Sequence, residues 1–119
     1  LPSMVKAIRI QDKARGVGFD WEKPEQVWEK VQEEIGELRR EVEAGSAKQL
    51  DELCDVLFSL VNYARFLKLD PDEALERTNI KFIRRFQFLE EGARRDGKKL
   101  GEMTLAEMDS YWERAKLEP

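Results

Sequence analysis

One helical segment limits what this chain can fold into. Residues 53–67 are apolar at most positions, and a helix that is apolar most of the way round is expected to be largely buried. One narrow polar stripe nevertheless follows this helix at steps of three, four and three residues: Glu52, Asp55, Ser59 and Asn62. Burying an ionised carboxylate without a partner costs several kcal/mol, so the stripe must face a cation, a basic side chain or a wet cleft.

The preceding helix supplies more acid. Glu33, Glu34 and Glu37 cluster on it at spacings where like charges repel. If the two helices form a hairpin, Glu34 and Glu37 can face the acids of the polar stripe, so that four carboxylates converge. Such a cluster is stable only if it holds divalent cations or if some members are protonated, and oxygen ligands without histidine favour Mg²⁺ or Mn²⁺. The alternatives are an ordinary solvated face, or salt bridges to Lys or Arg from another helix.

Helical periodicity extends along the whole chain, and no segment alternates long enough to predict a strand. We predict an all-α fold of four to five helices. The first helix runs from about Ser3 to Lys13, and a glycine-containing loop at residues 16–21 follows it. The second helix begins near Pro24 and ends at Gly45, where a left-handed residue is favoured. Its apolar stripe is predicted to face the core: Trp28, Val31, Ile35, Leu38 and Val42.

Capping residues divide the rest of the chain. Ser46 and Gln49 predict a capping box at the start of the third helix, which runs to about residue 67 or 68. Asp70 is predicted to cap the fourth helix, and Thr104 begins a further capping box that opens the last helix. The short connections predict antiparallel neighbours, and therefore a core built on a helical hairpin.

Composition excludes several functions. The chain has no histidine, so Ser-His-Asp triads, Cys-His dyads and histidine metal sites are excluded. Cys54 is its one cysteine, which excludes an internal disulfide and a cysteine-rich zinc site. The formal net charge of −4 predicts no stable nucleic-acid binding.

The length and the start of the chain carry further expectations. The 119 residues predict a single domain over residues 1–119, and the start without methionine indicates a fragment or the C-terminal half of a longer chain. No apolar run is long enough to span a membrane, and the start lacks the pattern of a signal peptide. We therefore expect no membrane association and a cytoplasmic location.

Basic side chains form a second constellation. They lie close together on the predicted fourth helix at Arg77, Lys81, Arg84 and Arg85, and Lys116 follows Trp112 on the last helix. Positive side chains across a cleft from a divalent metal are what a polyphosphate ligand requires, although a solvated basic face is the alternative. The chain has no phosphate-cradling glycine loop, so any nucleotide chemistry must use metal and basic side chains.

The acids also carry a resemblance to a known family. Residues 33–37 and 52–55 match the pattern E-E-x-x-E, a spacer, then E-x-x-D, which resembles the all-α nucleoside triphosphate pyrophosphohydrolases of the MazG family. The likeness covers nearly the whole chain and is to the C-terminal domain of two-domain MazG proteins. It extends to Gly18-Phe19-Asp20-Trp21, to residues 55–58 with 61–65, and to Asn79-Ile80-Lys81-Phe82-Ile83-Arg84-Arg85-Phe86.

The resemblance implies hydrolysis of nucleoside triphosphates between the α and β phosphates, giving monophosphate and pyrophosphate. It implies that Mg²⁺ is bound by the motif acids Glu34, Glu37, Glu52 and Asp55, with Glu33 adjacent. It also implies phosphate contacts from Lys81 and Arg85, and functional roles for Trp112 and Lys116. Family members dimerise and build a four-helix core from two chains, so we expect a homodimer. Asp51 departs from members that carry glutamate there, which puts the hydrogen bonding around the ligands in doubt.

The charges predict a mechanism and leave rivals open. Mg²⁺, or Mn²⁺ as its substitute, would neutralise both the carboxylates and the triphosphate, and Glu33 or Glu37 would act as the base. Stacking of the nucleobase on Trp21 or Trp112 predicts broad base tolerance. The alternative class is a non-catalytic nucleotide-binding or helical interaction module with a regulatory role. A rival among enzymes is a specialist for damaged or deoxy nucleotides, or for phosphoribosyl-ATP.

Overall fold

The computed structural model describes residues 1–118, and these residues contain helices but no β-strand. Five α-helices follow one another, with a 3₁₀ turn at Leu100–Glu102: α1 (Ser3–Gly16), α2 (Pro24–Ala44), α3 (Gln49–Phe66), α4 (Pro71–Arg95) and α5 (Leu105–Ala115). The predicted all-α fold is confirmed. Across the described part of the chain, no helix has the length and apolar character needed to cross a membrane. The chain divides into two compact units, residues 1–74 and the residues from Leu75 onward.

Local sequence explains several helix boundaries. Pro24 occupies the first position of α2, and Gly45 ends that helix with a φ of 64°, in the left-handed region that favours glycine. Asp70 Oδ1 accepts a hydrogen bond from the backbone N–H of Asp72 at 2.9 Å, as expected of the residue that caps α4. Thr104 forms the predicted capping box at the start of α5.

Two predicted boundaries are wrong. The first helix continues to Gly16, nearly one turn beyond its predicted end. The capping box at Ser46 does not form, because α3 begins at Gln49 without a side-chain cap. The Ser46 hydroxyl instead donates to the carboxylate of Glu41, and its oxygen accepts from the backbone N–H of Lys48 at 3.0 Å. Its acceptor oxygen is thus used in a local turn two residues on, and its hydrogen is donated back to the end of α2, so Ser46 closes the turn between α2 and α3 rather than capping α3.

The first unit is built on the hairpin of α2 and α3, and α1 also packs against α3. Trp28, early in α2, contacts Tyr63, late in α3, with 5.3 Å between the ring centroids. Glu37 and Glu52 meet near the other end of the same pair of helices. The two helices are therefore antiparallel, as predicted. The buried apolar residues between these elements are small: Val27, Val31, Val56 and Val61.

The prediction that α3 is largely buried is wrong for this chain on its own. Four of its large apolar residues are 41–54% exposed: Leu53, Leu57, Phe58 and Leu60. The predicted stripe of α2 is also only partly inside, since Val31 is fully buried whereas Ile35 and Val42 are 46% and 53% exposed. Within the first unit α3 packs against α1 and α2, and these two helices do not surround it.

The second unit has an apolar cluster around one aromatic ring. Its buried members are Leu89, Ala93, Met103 and Tyr111. The Tyr111 hydroxyl donates a hydrogen bond to Asp96, so the polar end of this buried ring is satisfied. The guanidinium of Arg114 lies 4.3 Å from the ring centroid, and the Lys98 ammonium lies 5.7 Å from it. Both cations are within the range of a cation–π interaction.

Candidate functional site

Three acids from the α2–α3 hairpin converge. Carboxylate oxygens of Glu34, Glu37 and Glu52 all lie within 4.8 Å of one another. Glu34 is 5% exposed, and one oxygen of Glu34 and one of Glu52 are buried with no hydrogen-bond partner within residues 1–118. Burying a carboxylate oxygen without a partner is costly. A bound cation would remove that cost, and no group of the described chain occupies these oxygens, so they are available as ligands. An all-oxygen donor set of this kind suits a hard divalent cation such as Mg²⁺ or Mn²⁺.

Electrostatic effects within the cluster follow from this crowding. The charge of Glu34 is the main cause that raises the pKa of Glu37, and burial and Glu52 act in the same direction. Lys30 Nζ lies 2.9 Å from Glu34 Oε1 and 3.5 Å from Glu33 Oε2. The hydrogen bond to Glu34 is the main cause that raises the pKa of Lys30. One cation of α2 therefore offsets part of the repulsion among these acids.

A cavity of about 360 Å³, which we call the acid cavity, lies beside this cluster. Glu34 from α2 and Asp55 from α3 both line it. Asp55 is exposed and is not one of the three converging acids. Ser59 and Asn62 continue the same wall, so the polar stripe predicted on α3 follows one side of this cavity.

A second cavity of about 330 Å³, the side cavity, lies among α1, α3 and the segment of residues 17–23 that joins α1 to α2. Trp21, Phe58 and Asn62 line both cavities, so the two adjoin. Gln11 is buried in the wall of the side cavity, where its Nε2 donates to the Phe58 carbonyl oxygen at 3.1 Å. Cavities of this size lie within the range of about 300–1,000 Å³ that is typical of small-molecule sites.

The predicted phosphate-binding residues lie in the second unit. Lys81 and Arg85, one turn apart on α4, line a groove of about 270 Å³. Trp112 packs on an aromatic ring of α4 with 5.0 Å between the ring centroids. Lys116 pairs with Glu113 at 3.0 Å. The structure thus places these residues among their own unit's side chains, and their role toward the acids stays a prediction.

Comparison with known proteins adds an independent finding. The family profile described as the MazG nucleotide pyrophosphohydrolase domain matches residues 22–88, which is more than half of the chain. The chain belongs to the MazG family. Both halves of the acid motif, residues 33–37 and 52–55, lie inside the matched span.

Individual relatives agree with the MazG assignment. The chain is 45% identical over 117 residues to the nucleoside triphosphate pyrophosphohydrolase/pyrophosphatase MazG of Thermotoga maritima, covering 98% of this chain and 45% of that protein. It is 36% identical over 119 residues to the nucleoside triphosphate pyrophosphohydrolase of Escherichia coli K12, with the same coverage of both chains. The uncharacterized protein YabN of Bacillus subtilis is 52% identical over 65 residues. The chain spans less than half the length of these curated relatives.

Sequence reasoning missed two features of this MazG domain. Lys30 could have been found, because it precedes Glu34 by four residues on one helix, a spacing at which side chains meet. The ion pair between Asp20 and Arg65 joins residues 45 positions apart. No periodicity argument links two such residues, so only the folded chain reveals their contact.

Proposed function

We propose that this chain hydrolyses nucleoside triphosphates to monophosphate and pyrophosphate in the presence of Mg²⁺, with Mn²⁺ as a substitute, and with broad tolerance of base and sugar. The observation that supports this most directly is the convergence of Glu34, Glu37 and Glu52, with two buried carboxylate oxygens left unpartnered within the described residues. Two relatives that align with 98% of this chain are named nucleoside triphosphate pyrophosphohydrolases.

Four acids would hold the metal. They are the three converging acids and Asp55, which lines the acid cavity together with Glu34. When bound there, a divalent ion neutralises negative charge on the triphosphate and polarises the phosphate that is attacked. Lys30 pairs with Oε1 of Glu34, whereas Oε2 is the oxygen without a partner, so the ammonium and a metal would use different oxygens of the same carboxylate.

The chain's own acids would also move the proton. Glu33 or Glu37 accepts a proton from the attacking water, and the water oxygen bonds to the α phosphorus. The bond between that phosphorus and the oxygen that bridges the α and β phosphates breaks at the same time. The products are a nucleoside monophosphate and pyrophosphate.

Basic and aromatic residues would bind the rest of the substrate. Lys81 and Arg85 hold the phosphates and the leaving pyrophosphate, and Lys116 adds to this positive charge. Trp21 or Trp112 stacks on the base, and stacking accepts every base because each has a π-face. Trp21 is the residue of this pair that lines the acid cavity.

A pyrophosphate-release assay tests the proposal. We would measure release from a panel of ribo- and deoxynucleoside triphosphates, from damaged nucleotides and from phosphoribosyl-ATP, with EDTA, Mg²⁺ or Mn²⁺. We expect release from most triphosphates with either metal and none with EDTA, and ¹⁸O from labelled water should appear in the monophosphate. No release from any member would favour a non-catalytic nucleotide-binding module. Release from one member alone would favour a specialist.

We also propose a homodimer in which a second copy covers one side of the hairpin and completes a four-helix bundle. Its support is a set of exposed apolar residues, each 41–54% exposed, at helical spacing along α2 and α3: Ile35, Val42, Leu53, Leu57 and Leu60. Light scattering should give twice the chain mass at micromolar concentration. Leu57→Glu should give monomers, whereas Leu105→Glu, at an exposed leucine of the second unit, should not. A monomeric parent chain would contradict the proposal.

A further inference from the structure

The segment of residues 17–23 is tied to α3 by an ion pair. Arg65 Nη2 lies 2.7 Å from Asp20 Oδ1, and Arg65 Nη1 lies 3.2 Å from Asp20 Oδ2, so the guanidinium donates a hydrogen bond to each carboxylate oxygen. The Arg65 side chain is 10% exposed and that of Asp20 is 19% exposed. A bidentate pair of this kind fixes the orientation of both groups as well as bringing their charges together.

Further contacts fix both partners of this pair. The backbone N–H of Trp21 donates to Asp20 Oδ1 at 2.9 Å, so the carboxylate that binds Arg65 also holds the backbone of Trp21. Arg65 Nη2 donates to Asn62 Oδ1 at 2.6 Å, and its guanidinium lies 4.9 Å from the centroid of the Phe66 ring. The hydrogen bond from Arg65 is the main cause that holds the pKa of Asp20 below its usual range. The Asp20 carboxylate is therefore ionised at neutral pH.

The rest of the segment is exposed. Gly18 has a φ of 90°, a conformation that glycine adopts without strain, and Phe19 is 82% exposed. At the far end of the segment, two backbone N–H groups donate to Gln26 Oε1, each at 3.0 Å. Asp20 lies between these two ends, so its bond to Arg65 fixes the middle of the segment against α3.

Trp21 occupies the wall that the acid cavity and the side cavity share. Asp20 and Arg65 line the side cavity beside it. If the ion pair were lost, the tie that holds the middle of the segment would be lost, and Trp21 would leave a fixed position next to the cavity that contains Glu34 and Asp55.

We infer that Asp20 and Arg65 are positioning residues for the nucleoside end of the substrate, because their ion pair holds Trp21 at the wall shared by the two cavities. This inference rests on the proposed function, in which Trp21 stacks on the base. Neither member of the pair acts on the phosphorus. Loss of the pair should therefore raise the KM for nucleoside triphosphates by about tenfold, within the range associated with loss of base–aromatic stacking, and leave kcat nearly unchanged.

Enzyme kinetics on the full chain can separate positioning from a general loss of structure. Asp20→Asn keeps the shape of the side chain and removes its charge. In this variant we expect KM for a nucleoside triphosphate to rise, while the inhibition constant of inorganic tripolyphosphate, which has no nucleoside, stays at the parent value. Asp20→Glu should recover part of the loss because it restores a carboxylate. Two controls should match the parent: Glu22→Gln in the same segment, and Arg15→Gln, whose contact with Asp20 is 3.9 Å long.

A spectroscopic readout needs neither metal nor turnover. The chain has three tryptophans, so a chain labelled with 5-fluorotryptophan should give three ¹⁹F signals, and Trp21→Phe assigns one of them. Asp20→Asn should shift and narrow the Trp21 signal, because the ring gains mobility, while the signals of Trp28 and Trp112 stay in place. Adding a non-hydrolysable nucleoside triphosphate should move the Trp21 signal in the parent chain more than in the variant.

The outcomes are distinguishable from failure of the proposed function. If the parent chain releases no pyrophosphate, the proposed function fails, and the positioning inference is then decided by the ¹⁹F response to nucleotide. If the parent chain is active and Asp20→Asn keeps the parent KM, the positioning inference alone is overturned. Equal rises in KM and in the tripolyphosphate inhibition constant would also overturn it, because they would indicate a general structural effect.

Discussion

The two compact units of this chain differ in whether their buried polar groups have hydrogen-bond partners. In the second unit the buried Tyr111 ring has its hydroxyl hydrogen-bonded to Asp96 and two cations near its ring. In the first unit Glu34 and Glu52 each keep one buried carboxylate oxygen that has no partner among the residues described. The first unit has the more costly arrangement, since a buried carboxylate oxygen without a hydrogen-bond partner costs more than a buried hydroxyl that has one.

This contrast concerns the metal-binding part of the proposed site. Replacing buried ionic groups with apolar ones is often neutral or stabilising, so a unit shaped by stability alone would have no need of converging acids. Among the described residues from 75 to 118, no buried side-chain oxygen or nitrogen lacks a hydrogen-bond partner. The acids of the first unit instead fit a ligand that is not part of the chain, and a divalent cation is the ligand that their oxygens suit best.

Neutralising one converging acid should have the largest effect. We expect Glu34→Gln to lower Mg²⁺-dependent pyrophosphate release by at least about 100-fold, since even residues that only support a metal ligand can cost 10–100-fold. Asp55→Asn and Glu37→Gln should behave alike, with helical content by circular dichroism unchanged. Glu29→Gln, which removes an exposed carboxylate from the same helix, is the control and should retain full activity. Full activity in Glu34→Gln or Asp55→Asn would contradict the site assignment.

In the second unit, added side-chain volume at a tightly packed glycine should lower stability. A Cβ at position 92 would lie 2.6 Å from Cδ1 of Tyr111, a ring whose hydroxyl is bonded to Asp96. We expect Gly92→Ala to lower the free energy of unfolding by about 1–2 kcal/mol, because overpacking of about 1–3 kcal/mol outweighs the helix propensity gained. Gly36→Ala, in the middle of α2 with no atom within 4 Å of the added Cβ, should instead stabilise. Thermal unfolding measures both effects. Equal shifts in melting temperature for the two variants would mean that the contact with Tyr111 does not limit the volume at position 92.

Much of the fold could be predicted from the sequence because local signals determine helices. Apolar periodicity depends on residues that are close together in the sequence, and so do the boundary signals. The boundaries predicted from Pro24, Gly45, Asp70 and Thr104 are all confirmed. Ser46 shows the limit of such signals. Its oxygen accepts from the backbone N–H of Lys48, before the helix begins, and its hydrogen is donated back to Glu41.

Burial was harder to predict because it depends on what covers each face. The apolar character of α3 indicates a buried helix, but Leu57 and Phe58 remain about half exposed in the single chain. The convergence of Glu34 with Glu52 could be predicted, because a hairpin of two antiparallel helices leaves few pairings. The contact between Asp20 and the third helix could not, since the path of an irregular segment leaves no periodic pattern in the sequence.

Removing the satisfied hydroxyl of the second unit should have a moderate effect. Tyr111→Phe keeps the ring in its cluster and deletes its hydrogen bond to Asp96, so we expect a loss of about 1.5 kcal/mol in the free energy of unfolding. Asp96→Asn should cost less, because an amide oxygen can still accept the bond. Chemical denaturation of both variants gives the comparison. A neutral Tyr111→Phe would show that this bond contributes no stability and would weaken the contrast between the units.

The smallest effect tests whether the ion pair between Asp20 and Arg65, in the first unit, contributes to stability as the Tyr111 hydrogen bond of the second unit does. At neutral pH, Asp20→Asn should cost about 1 kcal/mol, because Asn62 still accepts from Arg65 and the carboxylate retains some exposure. The hydrogen bond from Arg65 lowers the pKa of Asp20, so the folded chain binds this proton less readily than the unfolded chain. The stabilisation is therefore complete above the ordinary aspartate pKa and is lost as the pH falls through the lowered one.

The difference in melting temperature between the parent chain and Asp20→Asn should thus be constant at neutral and mildly acidic pH and shrink below about pH 4. Arg15 and Arg65 are the charged groups that face this carboxylate. Glu22→Gln, whose carboxylate lies in the same segment, controls for the general loss of charge. A difference that persisted unchanged into strong acid would mean that the Asp20 side chain stabilises the segment by shape, and that its charge contributes nothing.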